Sequence, residues 1–239
     1  AYKVAQALGA RALILYSTRP HVFCSGLDLS LLETNLDSTV LTNLLKSGQQ
    51  FCEQLKSSAI VSLAMIEGEC AGAGLSLALA CHYCIGTLYQ STSFSFPEVS
   101  QGLHPIWGGM SRALQRMGVR AALDFLTQSM VLNTEEALQK QLIDAAATPE
   151  QIHLLSLRYI AGQPTKTNQP FSVSLLEALP MRVLINNQQQ RKLAKTQDIE
   201  HYPAGARLIN LWQQHGSALA NLQAAEIGTF KQLVDTPTT

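Results

Sequence analysis

Two glycine-bearing turns and one acid hold the residues that could do chemistry. The first turn is "FCSGLDL", where Phe23 and Cys24 lead into Ser25, Gly26, Leu27 and Asp28. The second is "ECAGAGLSLALAC", where Gly72, Ala73 and Gly74 precede Ser76 and a leucine–alanine run. The acid is Glu98, in "FSFPEV", with Phe94, Phe96 and Trp107 near it in sequence. A glycine lets the backbone come close to a ligand and turn its amides outward. Both turns fall where a strand is expected to end and a helix to begin. A helix start leaves N–H groups unpaired and carries positive dipole charge. Two such amides brought together can hold one carbonyl oxygen as it becomes an oxyanion, and losing one such donor costs about 3–4 kcal/mol of transition-state stabilisation. As bare turns the glycines need no function at all, and Asp28 serves equally as a turn or helix-cap residue. Burial against Phe94, Phe96 and Trp107 would raise the pKa of Glu98 toward a range useful for proton transfer. The competing reading of Glu98 is a surface carboxylate behind a proline.

The elements that must position these residues alternate. The end of a helix is expected over residues 1–9 and a buried strand over 12–16 ("ALILY"). Val40, Leu41, Leu44, Leu45, Phe51 and Leu55 give residues 39–55 a helical apolar face. "AIVSLAMI" (59–66) reads as a second buried strand, and Gly72, Gly74 and the run to Ala80 as a helix starting at a strand end. "TSFSFPEV" (92–99) is a short strand broken by Pro97. Helices are expected over 112–118 and 120–129, and Asn133 with Glu136 is a capping-box pattern opening another. Near-continuous apolar strands alternating with helices predict an α/β fold whose parallel strands are covered on both faces. Composition shifts after about residue 161: "GQPTKTNQP" reads as a linker, and three helical stretches separated by Pro203 and Gly216 follow. The expected organisation is a core over 1–160 and a helical extension over 161–239.

Composition narrows the function. The 239 residues are 46% hydrophobic, enough for a sizeable core. Lys+Arg and Asp+Glu are 17 each, so no charge balance suggests nucleic acid or an anionic membrane surface. The apolar runs are too short to span a bilayer. No secretory signal is visible, and five sparse cysteines suit a reducing, cytoplasmic setting better than a disulfide scaffold. Cys81 and Cys84 have redox or half-zinc spacing but no second pair, so a packed-core role is expected for them and no metal site is predicted.

The order of the segments resembles the crotonase family, the enoyl-CoA hydratases and isomerases. "ALILYSTRPHVFCSGLDL" is similar to the family's strand followed by F-x-A-G-x-D-L. "IEGECAGAGLSLALACHY" resembles its glycine-triplet signature, "FSFPEVSQGLHPIWGGMSRALQRMG" its P-E-x-x-x-G segment, and "NTEEALQKQLIDA" its A-x-E-A-x-x-x-G-L-V-D segment. The resemblance covers about residues 5–150 and implies a spiral of ββα units with a C-terminal helical segment. It also implies an acyl-CoA thioester ligand. Coenzyme A then arrives as part of the substrate, with no permanently bound cofactor. The implied oxyanion donors are the Leu27 and Ala73 amides, and the implied catalytic acid is Glu98. Phe23, Ser25, Gly26, Gly72, Gly74, Ser76, Ile106 and Trp107 are the implied substrate-binding residues.

The departures from the family pattern set the reaction class. Family hydratases use two glutamates to hold and split one water. The second falls on Glu98, but the first falls on Ser76, whose hydroxyl cannot act as a carboxylate base. A positioned acid–base group is worth about 10²–10⁴-fold, so efficient hydration is not expected. Double-bond migration needs only one carboxylate, and isomerisation is therefore the expected reaction. Pro105-Ile106 replaces the family's Pro-Gly and puts bulk near the water site; His104 beside it reads either as a substitute polar group or as a turn histidine outside the chemistry, the second being expected. Alternatives within the same resemblance are another crotonase reaction, such as decarboxylation or thioester hydrolysis, and a degenerate acyl-CoA-binding module. The family pattern has a hairpin and helix before "ALILYS", so a fragment of a longer protein is expected. Residues 201–239 are similar to the connecting helices of multifunctional β-oxidation proteins. The implied partner is then a C-terminal dehydrogenase domain, or else two further copies in a trimer. No G-x-G-x-x-G is present, so NAD binding by this chain is not expected.

Overall fold

The computed structural model describes residues 2–28, 37–162, 164, 178–195 and 203–234. After helix α1 (Tyr2–Ala7), strands come in pairs, each pair followed by a helix. β1 (Ala12–Leu15) and β2 (Val22–Cys24) precede α2 (Ser38–Ser57). β3 (Val61–Ile66) and β4 (Glu69–Ala71) precede α3 (Ala73–Ala80). β5 (Tyr83–Thr87) and β6 (Ser93–Ser95) precede a 3-10 turn (Pro97–Gln101), α4 (Gly109–Met117) and α5 (Val119–Thr127). The first strand of each pair joins one sheet, ordered β1-β3-β5-β8, and the second joins another, ordered β2-β4-β6-β7. This is the ββα spiral that the sequence order implied. The last turn reverses the order: β7 (Val131–Asn133), then α6 (Thr134–Gln139), then β8 (Ala145–Ala147). β7 also pairs antiparallel with β6, where the sequence pattern had suggested parallel strands throughout.

Local chemistry explains several boundaries. All six residues of β3 are buried, as a central parallel strand requires. Asp37 caps α2 by accepting from the Thr39 N–H at 2.6 Å. The Asn133 and Glu136 side chains bond each other's backbone N–H at 2.9 Å, completing the expected capping box. Cys81 and Cys84 are buried, none of the five cysteines is in a disulfide, and no metal-holding cluster occurs among the described residues. No described helix is long and apolar enough to cross a membrane.

Helix α7 (Ile152–Gly162) covers the outer face of the first sheet through Ile152, which packs with Leu63 and Ile85. The linker residues 163 and 165–177 lie outside the described residues. Beyond them run α8 (Leu179–Leu193), α9 (Ala204–His215) and α10 (Leu219–Val234). Ile185, Leu208, Trp212, Leu222, Phe230 and Leu233 from these helices belong to the same buried cluster as Ile66, Leu75, Phe94 and Phe96. The helical segment therefore completes the core of the spiral.

Candidate functional site

The two glycine turns lie side by side. β2 pairs with β4 in parallel, Cys24 opposite Cys70, so both strands deliver their following turns to the same end of the sheet. Gly26 (φ +99°) comes so close that a Cβ there would sit 3.1 Å from the Ala71 carbonyl oxygen and 3.2 Å from the Ala73 nitrogen. Leu27 and Ala73 both line a cleft at this junction. Ala73 is the first residue of α3, where an N–H has no intrahelical partner. Neither the Leu27 nor the Ala73 amide donates to a described residue.

Glu98 enters the cleft from the neighbouring strand. The Gly72 N–H donates to the Ser95 carbonyl at 3.0 Å, tying the second turn to the end of β6. Two residues on, Pro97 opens the 3-10 turn, and the Leu103 N–H closes it on the Glu98 carbonyl at 2.8 Å. The carboxyl lies against Gly72, whose φ is +54°: a Cβ there would fall 2.8 Å from Glu98 Oε1. A side chain at position 72 would thus be strained and would displace the acid. Glu98 is only 7% exposed, and its Oε2 is buried without a partner. Loss of water pushes its pKa up to about 7, against a small opposing effect of its own backbone.

Ser25, Leu27, Gly72, Ala73, Glu98 and Ile106, all singled out from sequence, line this one cleft. Glu98 is the one carboxylate among the described residues that does so. The remaining candidates stand behind it. Phe23 packs against the core. Gly74 abuts Cys24, where a Cβ would meet the carbonyl oxygen at 2.4 Å. Ser76 is wholly buried, its hydroxyl unpartnered and pressed against the start of α4. A Cβ on Gly109 would lie 2.2 Å from it and 3.0 Å from Phe96. Trp107 turns the other way and stacks on Gly48 of α2.

Sequence reasoning did not select Pro97, Gln101, Leu103 and Phe230, which complete the lining. The first three flank Glu98 closely enough for its turn to have suggested them. Phe230 comes from the last helix, and no local signal places it there. Its ring meets His104 edge-on, centroids 5.7 Å apart. His104 itself is buried, and desolvation lowers its pKa to about 4, so the ring is neutral. Its Nδ1 donates to the Pro105 carbonyl at 2.8 Å, the only role open to it there, which leaves Nε2 bare.

A family model described as "Enoyl-CoA hydratase/isomerase" matches residues 3–204. The fatty acid oxidation complex subunit alpha of Shewanella halifaxensis is 34% identical over 210 residues, which is 85% of this chain and 29% of that protein. The corresponding subunit of Shewanella loihica is 31% identical over 86% of this chain and 30% of that protein. The chain thus spans under a third of the length of these curated relatives. Among solved structures, an enoyl-CoA hydratase from Rhodobacter sphaeroides superposes with a TM-score of 0.70, covering 98% of this chain and 77% of that one at 14% identity. The human mitochondrial delta3-delta2-enoyl-CoA isomerase gives 0.63, covering 97% and 84% at 22% identity. At these identities the structural likeness is one of fold.

Proposed function

The chain belongs to the enoyl-CoA hydratase/isomerase family, and from that premise we propose that it binds enoyl-CoA thioesters of fatty-acid oxidation and shifts their double bond in preference to hydrating it. The observation that carries the preference is that Glu98 is the one carboxylate among the described residues lining the cleft, with an unpartnered oxygen and a pKa raised to about 7. The thioester carbonyl oxygen accepts from the Leu27 and Ala73 amides. Glu98, ionised, removes a proton from the carbon between the thioester and a 3,4 double bond. The electron pair spreads into a dienolate whose oxygen the two amides stabilise. Glu98, now neutral, returns the proton two carbons further on, so no atom is gained or lost. A base whose pKa matches the operating pH suits both halves of this exchange.

Hydration needs a base for the water and an acid for the carbon at the same time. Ser76, where family hydratases carry their other glutamate, is a hydroxyl packed behind the cleft wall. Coenzyme A enters as part of the substrate, and no separate cofactor is required by these steps. The two Shewanella relatives, each named as the alpha subunit of a fatty acid oxidation complex and much longer than this chain, support a role as one module of such a protein; the C-terminal dehydrogenase domain follows from the resemblance of residues 201–239, and the cytoplasmic setting from the sparse cysteines.

The test runs a 3-enoyl-CoA and a 2-enoyl-CoA side by side. Faster isomerisation than hydration is the expected result. Strong hydration would sink the single-acid mechanism. Tight acyl-CoA binding with no turnover of either substrate would make the chain a binding module.

A further inference from the structure

Helix α10 touches the site at one place and is anchored at another. Leu219, Gln223, Glu226 and Phe230 recur every three or four residues and so share one face. Its first two members meet the Trp107-Gly108 turn: a Cβ on Gly108 would fall 2.7 Å from Leu219 and 2.9 Å from Gln223. Glu226, 4% exposed, accepts the Gly108 N–H on Oε2 at 2.9 Å and the Gln49 amide on Oε1 at 3.1 Å. The same Gln49 amide bonds the Gln223 carbonyl at 3.2 Å, and the Gln223 side chain bonds Glu53 at 3.2 Å. Arg112 joins Glu53 at 2.8 Å to the Trp107 carbonyl. One helical turn past Glu226, Phe230 lines the cleft. Two residues before Gly108, Ile106 lines it too.

We propose that Glu226 is a positioning residue for the acyl chain: by clamping α10 to Gly108 and Gln49 it fixes Phe230 and Ile106 as an apolar wall beyond the reacting carbons. The clamp uses a buried, fully bonded carboxylate at the hinge between α2, the Gly108 turn and α10. Both cleft residues it governs are apolar and line the cleft together with Leu103. A short acyl group ends near Glu98 and has little need of this wall. A longer one must run along it. The inference rests on the acyl-CoA reading above and adds which residue sets the chain's path.

The test measures binding of butanoyl-CoA and octanoyl-CoA to the chain by calorimetry. Glu226→Ala is expected to weaken octanoyl-CoA about tenfold, the equivalent of one lost contact worth about 1.4 kcal/mol, with a much smaller effect on butanoyl-CoA. Phe230→Leu is expected to move the same ratio in the same direction. Glu226→Gln, which keeps a carbonyl acceptor for the Gly108 N–H but gives up the bond from Gln49, is expected to restore part of the selectivity. If Glu226→Ala does not fold, Glu226→Asp carries the contrast, because it keeps the charge but draws the oxygens back. Equal weakening of both ligands, or no change in their ratio, overturns the inference and leaves the acyl-CoA reading standing. Failure of the unsubstituted chain to bind either thioester overturns that reading and the inference with it.

Discussion

Glu98 and Glu226 are both buried, and burial raises both pKa values to about 7. What surrounds their oxygens separates them. Glu226 accepts from Gly108 and Gln49, with the Arg112 cation nearby. Glu98 has a cleft in front of it and an oxygen with no partner at all. The first arrangement resembles a structural cross-link, in which a buried carboxylate is tolerated because its lone pairs are met. The second is one that a folded chain keeps at a cost, and the cost is explained when a substrate carbon supplies the proton. A raised pKa therefore nominates two residues in this molecule, and hydrogen bonding decides between them.

Four measurements would break or sharpen that contrast. The largest effect is expected for Glu98→Gln. The amide is nearly isosteric but cannot take the proton, so isomerisation should fall by about 10²–10⁴-fold while acyl-CoA binding persists. A variant retaining more than a tenth of the activity would remove Glu98 from the chemistry.

The second concerns stability and pH. Burial lifts the folded-state pKa of Glu98 from an ordinary 4.5 to about 7, so folding favours its neutral form. That stabilisation is complete below the unfolded pKa and is lost as pH rises through about 7. Glu98→Gln stays neutral throughout. It should match the natural chain in acid and exceed it by about 3 kcal/mol in mildly alkaline solution, on the conversion of pKa shift to free energy. Urea unfolding at about pH 4 and about pH 8.5 would read the difference. A natural chain that is the more stable one under alkaline conditions would mean that the free oxygen has a partner.

Glu226→Ala should move the other way. It strips an acceptor from the Gly108 N–H and from Gln49, and an unsatisfied buried donor costs about 1–3 kcal/mol. Urea denaturation in neutral buffer checks it, and an unchanged midpoint would deny the clamp any structural weight.

The smallest effect is the most discriminating. A base must be ionised to work, so isomerase kcat/KM should rise with pH and level off above about 7, the value to which burial lifts Glu98. Glu226→Gln should leave that limb where it is, although Glu226 has a similar pKa. If the limb disappears with Glu226 instead, the assignments of the two acids are exchanged.

Ser76 shows how far a sequence pattern reaches. The resemblance places it where family hydratases carry a glutamate, and the proposed preference for isomerisation starts from that difference. From sequence alone, Ser76→Glu should restore the missing carboxylate. The structure places the hydroxyl against Gly109 and Phe96, with no space for a longer chain unless both move. Overpacking of that kind costs about 1–3 kcal/mol, so the substitution is expected to disturb α3 and α4 before it assists a water. Trp107 is a similar case. Its neighbourhood to Glu98 in sequence suggested a shared pocket, but a left-handed residue (φ 60°) sends the indole to Gly48 instead.

The sequence by itself determined the parts whose signals are local. The all-apolar run of β3, the capping box at Asn133 and the glycine turns after β2 and β4 are written in neighbouring residues, because propensity, capping and backbone freedom act over a few positions. So was the pairing of two amide turns with one acid, through the order of the motifs. The antiparallel pairing of β7, the three-residue strands β4 and β8, and the reach of α10 into the cleft were decided by the tertiary structure alone. Strands that short carry too few residues for a period to show, and β-pairing takes its energy from partners distant in sequence. Phe230 stands 132 residues beyond Glu98 in the chain. Burial of an apolar face specifies that it must be covered, not which helix covers it; in the folded chain Glu226 of α10 accepts from Gly108 and Gln49, partners far away in sequence.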